Sequence, residues 1–147
     1  MKRVSSLRDR ALRLLARREH SRAELRRKLA PHAESADEID ALIEDLVARK
    51  LLSEARFAEM RVHMLSRKYG AAHIENDLRA KGIPEAEAGA AAQAARITEF
   101  ERALGVWQQK FGTPAKDLHE RARQTRFLLA RGFSAEVVNR ILRHKDE

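Results

Sequence analysis

Apolar residues recur every three to four positions along most of the chain, and no segment alternates between apolar and polar residues for long. This spacing is typical of amphipathic helices rather than strands. Leu25 and Leu29, for example, share one face of a predicted helix. We predict an all-α fold of nine helices, at residues 6–19, 21–30, 36–48, 54–69, 71–81, 84–97, 99–111, 114–131 and 134–144.

The residues at the predicted helix ends agree with these bounds. A glycine just after a basic last turn adopts the left-handed conformation and ends a helix, and Gly70, Gly82, Gly112 and Gly132 are such residues. Helix starts are marked by side chains that accept hydrogen bonds from free backbone N–H groups. These signals are capping boxes at Ser21–Glu24 and Thr98–Glu101, N-cap candidates Ser35 or Asp37, Ser53 and Ser134, and first-turn prolines Pro84 and Pro114.

A weak internal repeat divides the chain into three parts. The segment 81–85 matches 131–135, with a leucine four residues before the glycine in both, and 25–29 corresponds to 74–78. A module of this size is barely large enough for a core of its own, so neighbouring modules should dock and share apolar surface. We therefore predict an elongated, curved rod of three tandem three-helix repeats, at residues 1–52, 53–97 and 98–147.

Composition narrows the function classes. The 147 residues include 30 Lys and Arg against 22 Asp and Glu, a net charge of +8, and no cysteine. Disulfides, thiolate chemistry and cysteine-ligated zinc are therefore excluded. The sequence has no apolar run long enough to span a bilayer and no secretory signal, so we expect a cytoplasmic protein that does not bind membranes. The basic excess favours acidic partners.

Catalytic patterns are missing from the sequence. The six histidines fit no HExxH or other compact ligand spacing, and the glycines form neither a dinucleotide-binding nor a P-loop motif. No nucleophile has an adjacent base. We predict a protein that is not an enzyme and has no cofactor or metal.

Two basic clusters are the candidate partner-binding residues. In the first, Arg22 and Arg26 should lie on one flank of a helix whose leucines face inward, with Arg27 at the back and Lys28 on the other flank. Paired guanidinium groups can bind carboxylates or phosphates, although such arginines can equally serve only as a solvated face.

The second cluster belongs to the eighth predicted helix. We expect Arg123 and Arg126 to project together to one side, with Arg121 and Arg131 nearby. The inward stripe of this helix is predicted to be Leu118, Ala122, Thr125 and Leu129. Phe127 falls opposite that stripe, where it either packs on a neighbouring helix or is exposed for a partner. Trp107 and Phe111 are expected in the core of the third module.

Several motifs, in order along almost the whole chain, resemble the RecX family. They are Arg18-Glu19-His20-Ser21-Arg22-x-Glu24-Leu25, Leu51-Leu52-Ser53-x2-Arg56-Phe57-Ala58, Tyr69-Gly70, Trp107-x2-Lys110-Phe111-Gly112, and Arg123-Gln124-x-Arg126-Phe127-Leu128-x2-Arg131-Gly132-Phe133-Ser134. In this family an arginine often follows the glycine at the position of Ala71.

The resemblance implies three tandem three-helix repeats and a cytoplasmic regulator that binds the filament of the RecA recombinase. Such a regulator usually inhibits strand exchange, ATP hydrolysis and coprotease activity, and some members also contact DNA. We expect a monomer that occupies the filament groove or caps a filament end, with at most weak contact to single- or double-stranded DNA. The alternative is a helix-turn-helix-like DNA-binding regulator.

Overall fold

The computed structural model describes the backbone of residues 6–146 and the side chains of residues 6–143, so the outer ends of the first and third predicted modules lie outside it. Every regular element in this part is helical, which confirms the all-α class. The α-helices are α1 (Leu7–Arg17), α2 (Arg22–Leu29), α3 (Ala36–Ala48), α4 (Glu54–Leu65), α5 (Ala71–Ala80), α6 (Glu85–Ile97), α7 (Glu99–Lys110), α8 (Leu118–Ala130) and α9 (Ala135–Asp146), and a 3-10 turn, Ala30–His32, follows α2.

Each set of three consecutive helices encloses its own cluster of buried apolar side chains. Leu29 and Ile43 lie in the first cluster, Phe57 and Leu78 in the second, and Trp107 in the third. The extensive helix–helix contacts lie within these sets, except for those between α6 and α7. The repeat predicted from the sequence is therefore a repeat of small separate cores.

The molecule is elongated. Its accessible surface is 9531 Å², whereas a compact monomer of its mass, 16.8 kDa, exposes about 7,700 Å². Three small cores in a row leave more surface in water than one large core would. The curvature of the rod stays a prediction.

Glycines end helices at three of the four predicted positions. Gly82, Gly112 and Gly132 all have positive φ. The prediction for Gly70 is wrong, because its φ is −82° and it precedes α5. A Cβ on Gly70 would lie 2.3 Å from the carbonyl oxygen of Gly132. Gly70 is thus needed for the close approach of two backbones rather than for a left-handed turn.

The predicted helix starts are confirmed at the serines and at Thr98, which directly precedes α7. The hydroxyl oxygens of Ser21, Ser35, Ser53 and Ser134 accept hydrogen bonds from the N–H groups three residues later. The capping box predicted at Thr98 is wrong, because its hydroxyl accepts a hydrogen bond from Nε of Arg102 at 3.1 Å and none from a backbone N–H group of the described residues.

Helix α8 differs most from the sequence prediction. It begins at Leu118 rather than near Pro114, because the carboxylate of Asp117 accepts the N–H of Glu120 at 2.8 Å and caps the helix there. The predicted inward stripe is also wrong: Leu118 is 85% exposed and Leu129 43% exposed.

The buried side of α8 is instead formed by Gln124 and Leu128. The buried indole N–H of Trp107 needs an acceptor, and the side-chain oxygen of Gln124 provides it at 2.9 Å. The polar residue Gln124 therefore occupies a core position, and the spacing of apolar residues alone does not show which face of α8 is buried. Phe127 packs edge to face against Phe111 with the ring centroids 5.4 Å apart.

A carboxylate at the start of one module caps a helix of the preceding module at both junctions. Glu54, the first residue of α4, accepts the N–H of Arg22 at the start of α2 at 3.1 Å. Glu99, the first residue of α7, accepts the N–H of Ala71 at the start of α5 at 2.6 Å and that of Ser134 at 3.3 Å. Each carboxylate lies at the positive end of a helix dipole.

The second junction has an additional cation. The half-buried guanidinium of Arg102 donates to the carbonyl oxygens of Ser66, Tyr69 and Ala95 at 3.0, 2.6 and 2.8 Å. Burial lowers the pKa of Arg102, and the nearby charge of Glu99 partly opposes that shift. The N–H group of Gly70 also donates to the carbonyl of Arg131 at 2.8 Å. Opposite charges on one turn of α7 therefore hold the second and third modules together.

Leu128→Ala should lower the free energy of unfolding by about 2–5 kcal/mol, since it opens a cavity at a fully buried position. Leu118→Ala is the matched control on the same helix and should change stability by about 0.5 kcal/mol or less. Urea unfolding followed by circular dichroism measures both. Equal losses in the two variants would contradict the assignment of the buried face.

Glu99→Ala should lower the free energy of unfolding by about 1–3 kcal/mol, because it leaves the buried N–H of Ala71 without an acceptor. Glu101→Ala, two residues away and exposed, is the control and should leave stability unchanged. Amide hydrogen exchange should speed up at Ala71 and Ser134 in the first variant only. Unchanged exchange at both amides would show that this carboxylate does not hold the junction.

Candidate partner-binding surfaces

The first predicted basic cluster is divided between two sides of α2, as its helical positions predict. Arg22 and Arg26 face α3 and form ion pairs with Glu44 at 2.6 Å and with Asp40 at 3.0 Å. Arg27 is exposed and forms no ion pair within the described residues. Two of the four cations are thus already neutralised within the chain.

Lys28, on the other flank, takes part in a basic groove that the sequence analysis missed. The groove lies between α1 and the α2 region, with Leu14 and Leu29 contributing apolar surface, and its cationic side chains are Arg10, Arg13, Arg17 and Lys28, with His32 at the edge. The guanidinium groups of Arg10, Arg13 and Arg17 form no ion pair or hydrogen bond within the described residues. Their i, i+3, i+7 spacing is the signal that places them on one face of α1. We call the side chains of Arg10, Arg13, Arg17 and Lys28 the α1 basic face.

The arginines of the second predicted cluster differ in their contacts within the chain. Arg123 forms an ion pair with Glu120 at 2.9 Å, and this hydrogen-bonded contact lowers the pKa of the Glu120 carboxyl. The Arg123 guanidinium also lies 5.1 Å from the centre of the Phe111 ring. Arg126 is exposed and makes no contact of this kind within the described residues, while Arg121 is partly buried. Arg123 and Arg126 are both exposed, and of these two Arg126 is the one without an ion pair within the described residues.

Arg131 lies at the second junction. Its guanidinium is 5.3 Å from the ring centre of Tyr69 and 5.0 Å from that of Phe127. Tyr69 in turn stacks on His73 with the ring centroids 3.9 Å apart. These contacts join side chains of the second and third modules, so Arg131 contributes to the junction. A shallow basic groove beside it is lined by Arg67, Lys68, Lys110, Phe127 and Arg131.

His20 is a buried structural residue beside the α1 basic face. Its Nδ1 lies 3.0 Å from the carbonyl oxygen of Arg18, and its Nε2 lies 3.1 Å from Nζ of Lys28. A neutral ring that donates from Nδ1 and accepts at Nε2 satisfies both contacts. Burial is the main cause that lowers the pKa of His20, and it outweighs the hydrogen bond to Arg18.

The side chains of residues 6–143 contain no group of three or more His, Asp or Glu arranged to hold a metal ion. Within the same part of the chain, no helix is both long and apolar enough to cross a bilayer.

Family models match three successive parts of the chain. The first three-helix domain of RecX matches residues 8–46, the second matches residues 53–91, and the third matches residues 98–142. The chain belongs to the RecX family. The family resemblance of the sequence motifs is thereby confirmed, and the matched domains follow the order of the three helical sets.

Relatives of this RecX-family chain extend over nearly its whole length. Regulatory protein RecX of Leptothrix cholodnii is 51% identical over 141 residues, which cover 96% of this chain and 90% of the relative. Regulatory protein RecX of Ralstonia pickettii is 49% identical, covering 97% of this chain and 89% of the relative. The protein of the same name from Neisseria meningitidis serogroup B is 41% identical, covering 98% and 94%.

Solved structures of RecX share the fold. The crystal structure of RecX from Lactobacillus salivarius has a TM-score of 0.81 at 21% sequence identity and covers 95% of this chain and 94% of that one. A second crystal structure of regulatory protein RecX has a TM-score of 0.74 at 20% identity, covering 96% and 72%. The three tandem three-helix repeats predicted from the sequence are confirmed.

Stability should fall as the pH drops through about 6.5, the ordinary pKa of histidine, because the buried ring of His20 binds a proton less readily when folded than when unfolded. This contribution is complete above pH 6.5 and is lost toward the lower folded-state pKa. The difference between the urea midpoints at pH about 7.5 and about 5.5 measures this loss of stability. Both pH values lie above the range in which carboxylates ordinarily titrate.

His20→Gln keeps a donor and an acceptor but does not titrate, so its midpoint should change less between the two pH values. The exposed His63→Gln is the control and should retain the full pH dependence. The same dependence in all three proteins would mean that another group is responsible.

Proposed function

We propose that this chain is a non-enzymatic cytoplasmic regulator that binds the filament of the RecA recombinase on DNA and inhibits its strand exchange, ATP hydrolysis and coprotease activity. Membership of the RecX family supports the regulatory role, and the RecA filament is the partner that the family resemblance implies. The elongated shape and the polar contacts at both junctions support binding as one preformed body, because little conformational freedom then has to be lost on binding.

The observation that carries the proposal is the difference between paired and unpaired cations. Arginines that face a neighbouring helix are neutralised by carboxylates, as Arg22 and Arg26 are. The α1 basic face has no such neutralisation within the described residues. Cations held close together repel one another, and an acidic ligand relieves this repulsion. We therefore assign partner contact in the first module to this face and to Arg27.

The second contact region is the shallow groove at the junction of the second and third modules. Arg67, Lys68 and Lys110 line it beside Arg131. Basic surfaces in the first module and at the second junction are suited to bridging successive acidic positions on a filament. Several modest contacts on one rigid body then add through effective concentration.

Two inhibitory mechanisms fit this arrangement and differ in dose. A rod that lies in the filament groove blocks strand exchange only when about one molecule is bound per few RecA subunits. A rod that caps a growing end acts far below that ratio. Co-sedimentation with RecA assembled on single-stranded DNA, together with ATP hydrolysis over a range of ratios, measures the dose. Unchanged ATP hydrolysis and no co-sedimentation at excess protein would overturn the proposal.

The alternative is a DNA-binding regulator, and the α1 basic face is the feature that favours it. Its cations are suited to phosphate contacts, whereas the face presents no Asn or Gln of the kind that often reads bases. Titration with DNA alone at increasing salt separates the two functions. Tight, sequence-selective binding that persists at high salt would support the alternative, and weak binding that disappears would indicate only phosphate attraction.

Reversing two charges of the α1 basic face tests which surface binds. Arg13→Glu combined with Arg17→Glu should raise the concentration needed for half-inhibition of RecA ATP hydrolysis about tenfold or more. Both side chains are exposed, so the helical content should not change.

The control is Lys116→Glu combined with Arg143→Glu. It changes the net charge by the same amount at exposed positions on the third module. This control should inhibit nearly as well as the unmodified protein. An equal loss in both variants would mean that net charge, rather than the α1 basic face, determines binding.

A further inference from the structure

The outward side of α8 is apolar at positions where α5, the equivalent helix of the second module, is charged. Leu118, Ala122, Thr125 and Leu129, which we call the outward stripe, lie on one side of this helix, away from the buried Gln124 and Leu128. Thr125 and Leu129 correspond in the repeat to Glu75 and Arg79 of α5, which form ion pairs. The fold therefore does not require an apolar surface at these positions.

An apolar groove lies on the second module, between α4 and α6. Its surface is formed mainly by small side chains: Ala55, Ala58, Val62, Ala90, Ala91 and Ala94. In the third module Arg140 occupies the position equivalent to Ala90, and its guanidinium lies 4.3 Å from the ring centre of Phe100. Small residues in the second module thus leave open a groove of the kind that binds one face of an amphipathic helix.

Charge at the groove complements charge beside the stripe. Glu59 and Glu87 line the groove together with His63, and neither carboxylate forms an ion pair or hydrogen bond within the described residues. Arg126 flanks the outward stripe and is likewise unpaired. Two acidic groups therefore border this apolar surface in a protein of net charge +8. They favour an occupant with a basic residue next to its apolar stripe.

The two surfaces also agree in length. The stripe runs from Leu118 to Leu129, and the α4 side of the groove runs from Ala55 to Ser66, so both span 11 residue steps. At a rise of about 1.5 Å per residue, each is about 16 Å long. Alanines in the groove allow a second helix to approach closely, and the two leucines supply larger side chains at the ends of the stripe.

We propose that the outward stripe of α8 in one copy of the protein packs into the α4–α6 groove of a second copy, so that molecules associate head to tail. The two surfaces lie on different modules, and the contact is therefore heterologous and can continue into an open array. The small area makes a single contact weak and transient. Binding to a common polymer would raise the local concentration and strengthen it. The proposed association revises the expectation of a monomer. It does not depend on the RecA filament being the partner of the protein.

The absence of cysteine from the chain allows a direct test in the protein alone. Ala122→Cys places a thiol on the stripe and Ala90→Cys places one at the groove, both at exposed positions. The two variants are mixed and treated with a short bismaleimide. We expect covalent dimers at least about fivefold above a control mixture of Ala122→Cys with Ala41→Cys, which carries its thiol on the exposed side of α3.

Charge variants then test the complementarity. Arg126→Glu added to the stripe partner should reduce the yield of dimer about fivefold, as should Glu59→Arg with Glu87→Arg added to the groove partner. Mixing the two altered partners should restore much of the yield, since the charges are then exchanged. Leu118→Asp should also abolish the excess without changing helical content, because this side chain is 85% exposed.

Three results would overturn the proposal. These are a yield no higher than that of the Ala41→Cys control, a yield that the exchanged charges do not restore, and an equally strong dimer from Ala122→Cys alone, which would indicate pairing of stripe with stripe. RecA is absent from the experiment. A negative result therefore leaves the proposed function open, while a failure to bind RecA filaments leaves this inference open.

Discussion

One turn of α7 carries a carboxylate and a guanidinium. The carboxylate lies at the positive ends of neighbouring helices, and the guanidinium lies near the negative ends of others. The carboxylate of Glu99 accepts N–H groups at the starts of α5 and α9, while the guanidinium of Arg102 donates to carbonyls near the ends of α4 and α6. Short helices leave many backbone groups without partners. In a rod of small modules these groups meet at the junctions, where water is partly excluded. Satisfying them across the boundary makes the arrangement of the second and third modules specific.

The start of α8 differs in this respect from the starts of α2 and α5. Glu54 caps α2 from the following module, as Glu99 caps α5. Within the described residues, no carboxylate of another module caps the start of α8. α8 is instead longer than α2 and α5 and is capped by its own Asp117. The extra turn carries Leu118 into solvent and creates the apolar end of the outward stripe. An exposed surface thus arises from the way the third repeat satisfies its own helix end.

Local signals predict the helices well, because glycines and serines act through the backbone beside them. Contacts between modules cannot be read in this way. Thr98 has the spacing of a capping box, yet its hydroxyl binds Arg102, whose guanidinium is held by carbonyls of the preceding module. Gln124 is polar, so hydropathy places it outside, although the repeat aligns it with the buried Ile74. Alignment of the repeats, rather than hydropathy, would have identified the buried face of α8 correctly.

The distribution of carboxylates decides what each arginine does. On α2, Arg22 and Arg26 face acidic residues of α3, so their charges contribute to the packing of the first module and present little free charge to a partner. On α1, Arg13 and Arg17 meet no carboxylate within the described residues, so their repulsion persists until a ligand arrives. The sequence alone does not distinguish paired from unpaired arginines, because the pairing depends on which helix face lies opposite. A net charge of +8 therefore understates the local contrast between neutralised and free surfaces, and it is on this contrast that the proposed contact with an acidic partner rests.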